Sequence, residues 1–130
     1  MLGRRRFEEL RGFYDADAGA VVIDPGLQGL DPRALATLLA HEATHAHDDL
    51  YGDQGEADRR LGRVRGCIVG ELRATLAELE TWQQFYGPGG KPQPVHEYEE
   101  ELNEHLARYL ESPRQYGADS RKDNRRQCAE

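Results

Sequence analysis

The chain has 130 residues, the size of one ordinary domain, so a single hydrophobic core is expected. Apolar residues make up 38% and charged residues 32%, with a mean hydropathy of -0.83, so that core must be small and its helices must keep a wet face. Acidic residues outnumber basic ones 24 to 17, a net charge of -7 that has the wrong sign for a general nucleic-acid binder, and no apolar run approaches the roughly 18 to 20 residues of a membrane-spanning helix.

In chain order, the basic cluster Arg4–Arg6 is followed by Phe7-Glu8-Glu9 and reads as a solvated face. No apolar stretch follows it that could serve as a secretory signal, so a cytoplasmic protein is expected; separately, a monomer is expected. Gly12 to Asp24 combines an aromatic pair, a polar glycine-containing turn and a β-branched run, the pattern of a hairpin. Asp31-Pro32 then opens a helix, with Asp as N-cap and Pro at the first helical position. Apolar residues at Leu35, Leu38, Leu39 and Ala46 carry that helix to Asp49 or Leu50. Gly52 to Gly55 reads as a loop, and the charged stretch 56–65 as helical or irregular. A second helix is predicted from Cys67 to Tyr86, on a stripe that includes Ile68, Leu72, Leu76, Leu79 and Trp82. The Gly- and Pro-rich run 87–94 breaks it, and a third helix follows from Val95 to Glu111. Ser112-Pro113 stops the third helix. Residues 114–130 have little to bury and are expected to form a mobile tail, so the domain is placed at 1–111 and the tail at 112–130. Cys67 and Cys128 allow at most one disulfide; they read as one half-buried thiol and one tail thiol.

The strongest motif is His41-Glu42-Ala43-Thr44-His45, an H-E-x-x-H inside the first predicted helix. The chain's own His and Glu content gives only about 0.02 chance occurrences of that pattern. Residues four apart share a helix face, so both imidazoles can reach one tetrahedral metal while Glu42 stands beside its open position. Asp48 and Tyr51 occupy the places where an extended H-E-x-x-H-x-x-G-x-x-H motif has Gly and His, so that subclass is excluded. The third ligand is then a carboxylate of the second helix, either Glu71 or Glu78, which share a face. Small Ala74, three residues after Glu71, permits close helix approach and favours Glu71. Asp49, four residues after His45, is the candidate to orient an imidazole, with Asp48 nearby. Ala20 to Asp24 is the candidate edge strand for an extended peptide. Tyr86, His96, His105, Tyr109 and Tyr116 could each donate to a developing oxyanion, and none is preferred.

Together, Leu39-Ala40-His41-Glu42-Ala43-Thr44-His45-Ala46, Cys67-Ile68-Val69-Gly70-Glu71-Leu72-Arg73-Ala74 and Leu79-Glu80-Thr81-Trp82 resemble the small bacterial gluzincin-type metallopeptidases, the minigluzincin-like HExxH group. The resemblance spans about residues 13 to 110. It implies an α+β, minimal zincin-like domain: a short sheet or hairpin, an active-site helix, a glutamate helix and a C-terminal helix. It also implies one Zn2+ per chain held by His41, His45 and Glu71, with Glu42 as the catalytic residue. The expected activity is zinc-dependent hydrolysis of a peptide or unfolded protein, without nucleic-acid or membrane partners. Two alternatives stand beside it. One is a latent or non-catalytic zinc-binding module whose tail fills the cleft, with Cys128 on the zinc. The other is a regulatory protease dedicated to one partner protein.

Overall fold

A computed structural model describes residues 11–27 and 29–129; the basic cluster Arg4–Arg6 lies outside them. The hairpin forms where it is expected: β1 (Gly12–Asp15) pairs antiparallel with β2 (Ala20–Ile23), Tyr14 opposite Val21. Asp15 closes the turn, its Oδ1 accepting the backbone N–H groups of Asp17 and Ala18 at 3.1 and 3.2 Å. A short 3-10 turn at Pro25–Leu27 buries Leu27. Asp31 then caps α1 (Pro32–Leu50), its carboxylate accepting the Arg33 N–H at 2.8 Å, and Pro32 stands at the first helical position.

The loop expected at 52–55 shrinks to a single turn. Asp53 already starts α2 (Asp53–Leu61), whose first turn carries Asp53 and Glu56, charges that suit a helix N-terminus. Gly62 separates α2 from α3 (Arg63–Tyr86), which begins four residues before the predicted start at Cys67. The two helices form a close hairpin. A Cβ on Gly66 would lie 2.8 and 2.9 Å from the Cα and N of Asp58, so only glycine lets these backbones meet. Gln54 fastens the crossing, its Nε2 donating to Asp58 Oδ1 at 2.8 Å and to the Gly66 carbonyl at 3.0 Å.

Of all helix pairs, α1 and α3 pack the most extensively. Ala34 and Ala74, both 0% exposed, remove the side-chain bulk that would hold neighbouring elements apart. α4 (Glu97–Glu111) brings Tyr98, Leu102 and Leu106, spaced one turn apart, into one core with Leu38, Leu79 and Trp82. Its N-cap is His96, whose Nδ1 accepts the Tyr98 N–H at 2.9 Å. Asn103 Oδ1 accepts from Trp82 Nε1 and from the Lys91 N–H, both at 2.9 Å, and so ties the 87–91 loop to the core.

The largest departure from expectation is the C-terminal segment. Residues 113–129 are not a loose tail but a fifth helix, α5 (Pro113–Ala129), which packs on α3 and α4. Its only buried residues are Tyr116 and Cys128, which is why its amphipathic pattern is nearly invisible. Tyr116 meets Tyr109 and His105 edge-on, and Cys128 forms a disulfide with Cys67 across 61 residues. The two cysteines are therefore neither free thiols nor metal ligands. Most of the chain is helical beside one two-stranded antiparallel sheet, a broad α+β arrangement. No helix among the described residues is long and apolar enough to cross a membrane.

Candidate metal centre

The helix spacing of α1 brings His41 and His45 to one face, and the packing of α3 carries Glu71 across to them. Glu71 spans the pair: its Oε2 lies 3.5 Å from His41 Nε2 and its Oε1 lies 3.2 Å from His45 Nε2. One donor atom from each of the three lies within 4.8 Å of the others, the set a single small cation requires. Two imidazole nitrogens and a carboxylate oxygen are a donor set suited to zinc.

Glu78, the other candidate for third ligand, takes a different place. Two turns beyond Glu71, it accepts from His41 Nδ1 at 2.8 Å, on the side of the ring away from the Glu71 contact. The Tyr98 hydroxyl of α4 donates to the second oxygen of Glu78 at 2.6 Å. The chain Tyr98–Glu78–His41 fixes the ring and turns Nε2 toward Glu71, as the atom that could coordinate an ion. The carboxylate that holds an imidazole of the pair is thus Glu78 and not Asp49, which instead accepts the Tyr14 hydroxyl at 2.8 Å. Glu78 is legible in the sequence as a ligand candidate, whereas its partner Tyr98 comes from α4, outside the helix that carries Glu78.

Burial opposes charge at all three central groups, and the neighbours decide the outcome. Burial alone would lower the His41 pKa, but hydrogen bonds to Glu71 and Glu78 outweigh it and raise it to about 10. Burial alone would raise Glu71, but His41 and His45 hold it well below the usual carboxylate range. At Glu42, 4% exposed, burial dominates; the two histidines pull the pKa down, yet it stays raised. The Glu42 carboxylate makes no hydrogen bond among the described residues. It is a desolvated carboxylate with raised proton affinity, the state suited to a general base.

These groups line a cavity of about 850 Å³. The chain matches no family model, no curated protein and no solved structure. What the cavity can do therefore rests on its own residues. Its walls are the site face of α1, residues 12–17 of β1 and its turn, Gln54 and Asp58 of α2, the first turns of α3, and Gln127 of α5. The strand that lines the cavity is thus β1 and not its partner, the Ala20–Asp24 segment. Of the side-chain donors, the Tyr14 hydroxyl lines the cavity, and none of Tyr86, His96, His105, Tyr109 or Tyr116 does. Tyr86 instead donates to Asp31 at 3.3 Å, and His105 pairs with Tyr116 at 2.8 Å. A second grouping, His47, Asp48 and Asp53, forms at the α1–α2 corner. There the Arg73 guanidinium lies 3.0 Å from buried Asp48 Oδ1, so a cation's place at that carboxylate is already taken.

Proposed function

We propose that the chain is a zinc-dependent peptidase of gluzincin type, with a minimal zincin-like fold, that hydrolyses peptide bonds. The observation that carries this reading is the convergence of His41 Nε2 and His45 Nε2 on the two oxygens of Glu71, with buried Glu42, whose carboxylate makes no hydrogen bond among the described residues, lining the same cavity. His41, His45 and Glu71 would hold one zinc per chain. Zinc held by two imidazoles and a carboxylate supplies Lewis acidity, lowering the pKa of a water to about 7 and polarising a carbonyl. Glu42 accepts the proton of the attacking water and returns it to the leaving amine. Its desolvated setting, which raises its proton affinity, supports that assignment. Glu78 and Tyr98 keep His41 in the orientation that binds metal.

The Cys67–Cys128 disulfide favours an oxidising compartment over the cytoplasm. It also removes the reading in which the Cys128 thiolate blocks the zinc. Elemental analysis of the purified protein is expected to give about one zinc per chain. Glu42→Gln is expected to keep that zinc while lowering hydrolysis of an unfolded protein by about 10²- to 10⁴-fold. Retained turnover would take the base role from Glu42, and a protein that takes up no zinc would end the metallopeptidase reading.

A further inference from the structure

The cavity walls hold more carboxylate than the proposed chemistry uses. Besides Glu42 and Glu71, the lining includes Asp15 and Asp17 at the end of β1, Asp49 one turn beyond His45, and Asp58 on α2. Each of the four is without a cationic partner among the described residues. Asp49 is held by the Tyr14 hydroxyl, Asp58 by the Gln54 amide at 2.8 Å, and Asp15 by two backbone N–H groups. The Asp17 carboxylate makes no hydrogen bond among the described residues. Against these four charges the described residues of the lining offer one fixed cation, Arg63, and its Nη1 already donates to the Cys128 carbonyl at 3.0 Å.

An acidic rim alone would be an ordinary solvated surface. Here it surrounds a concave site into which Glu42, 4% exposed and with a carboxylate that makes no hydrogen bond among the described residues, also opens. Ligand and rim charges therefore share one cleft, where low-dielectric walls focus the field of unpaired carboxylates. Neutralising the metal set and Glu42 against one another would leave the four aspartates facing, among the described residues of the lining, Arg63 alone. We infer that the cleft selects polypeptides that carry lysine or arginine beside the bond to be cut, and discriminates against acidic ones. This deepens the peptidase reading and rests on it for the word "cut".

The test uses fluorogenic peptides of one sequence with Lys, Gln or Glu placed on both sides of a common apolar pair. Zinc-loaded protein is expected to cleave them in the order Lys, Gln, Glu, with kcat/KM for Lys over Glu larger by at least about tenfold at low ionic strength and the ratio shrinking as salt rises. Asp17→Asn, which disturbs no contact, should lower the Lys-to-Glu ratio, and Asp15→Asn/Asp17→Asn/Asp58→Asn should lower it further. A second readout is fluorescence anisotropy of the same peptides on the zinc-loaded Glu42→Gln protein, where the same order is expected. Cleavage with no charge order, or with Glu preferred, overturns the inference and leaves the peptidase reading intact. Charge-ordered binding without cleavage of any peptide upholds the inference and overturns the peptidase reading. Absence of both cleavage and charge-ordered binding overturns both.

Discussion

Glu71 and Glu78 share a face of α3 and meet His41 through opposite nitrogens, Nε2 at 3.5 Å and Nδ1 at 2.8 Å. The one that also reaches His45 is the ligand of the proposed site; the one that reaches Tyr98 is its support. Their removal should differ in kind. Glu71→Ala is expected to abolish stoichiometric zinc uptake. Glu78→Ala is expected to weaken zinc about 10- to 100-fold in a chelator competition while leaving one zinc at saturation. Tyr98→Phe, which keeps the buried ring and removes only the hydroxyl donor, should weaken zinc by less than Glu78→Ala does. The sequence carries the histidine pair because helical spacing alone brings His41 and His45 together. It leaves Glu71 and Glu78 open because the residue that separates them, Tyr98, reaches the site from another helix, and nothing local to α3 records that contact.

The elements differ in how they are secured. α5 has two buried residues, Tyr116 and Cys128, so its C-terminal end is fastened mainly by the disulfide and by Arg63 on the Cys128 carbonyl. A crosslink spanning 61 residues is worth about 4 kcal/mol in the chain-entropy account. Cys67→Ser/Cys128→Ser is therefore expected to lower unfolding stability by an amount of that order. Amide exchange should rise first in the last turns of α5, because only fastened helix ends resist local opening. The α2–α3 hairpin makes a separate prediction from its two glycines. At Gly66 an added methyl meets Asp58 backbone, whereas at Gly70 it meets the movable end of the Gln54 side chain. Gly66→Ala is expected to cost about 1–3 kcal/mol by thermal unfolding, and Gly70→Ala clearly less. Hairpin, α1 and most of α3 and α4 were legible because turn residues, caps and apolar stripes are local signals. α5 was not, because a covalent bond between distant residues substitutes for the stripe that a sequence reading needs.

Across the whole molecule, a polar clamp joins the start of α1 to the loop before α4. Lys91 Nζ lies 2.5 Å from Glu99 Oε2 and 3.2 Å from Asp31 Oδ2, and Glu99 is 0% exposed. Burial pushes the Glu99 pKa up, but Lys91 and the Val95 N–H outweigh it and hold it below the ordinary value. A depressed carboxylate pKa stabilises the fold at pH values above its unfolded value, and that contribution disappears as pH falls through the folded value. Glu99→Gln should accordingly lower Tm by roughly 5 °C near neutral pH. The gap between variant and parent should close in acid, where Glu99 itself is protonated; a gap independent of pH would take the ion pair out of the account. The same clamp lies beside the chain's single tryptophan, since the Asn103 that holds the Lys91 backbone also holds Trp82. Trp82 is 0% exposed and lies in the core, away from the cavity lining. Its emission is thus a built-in optical gauge of the packed interior: it should shift to the red when the domain melts and stay nearly constant when metal is stripped from an intact fold. One fluorescence trace can therefore tell loss of the site from loss of the structure.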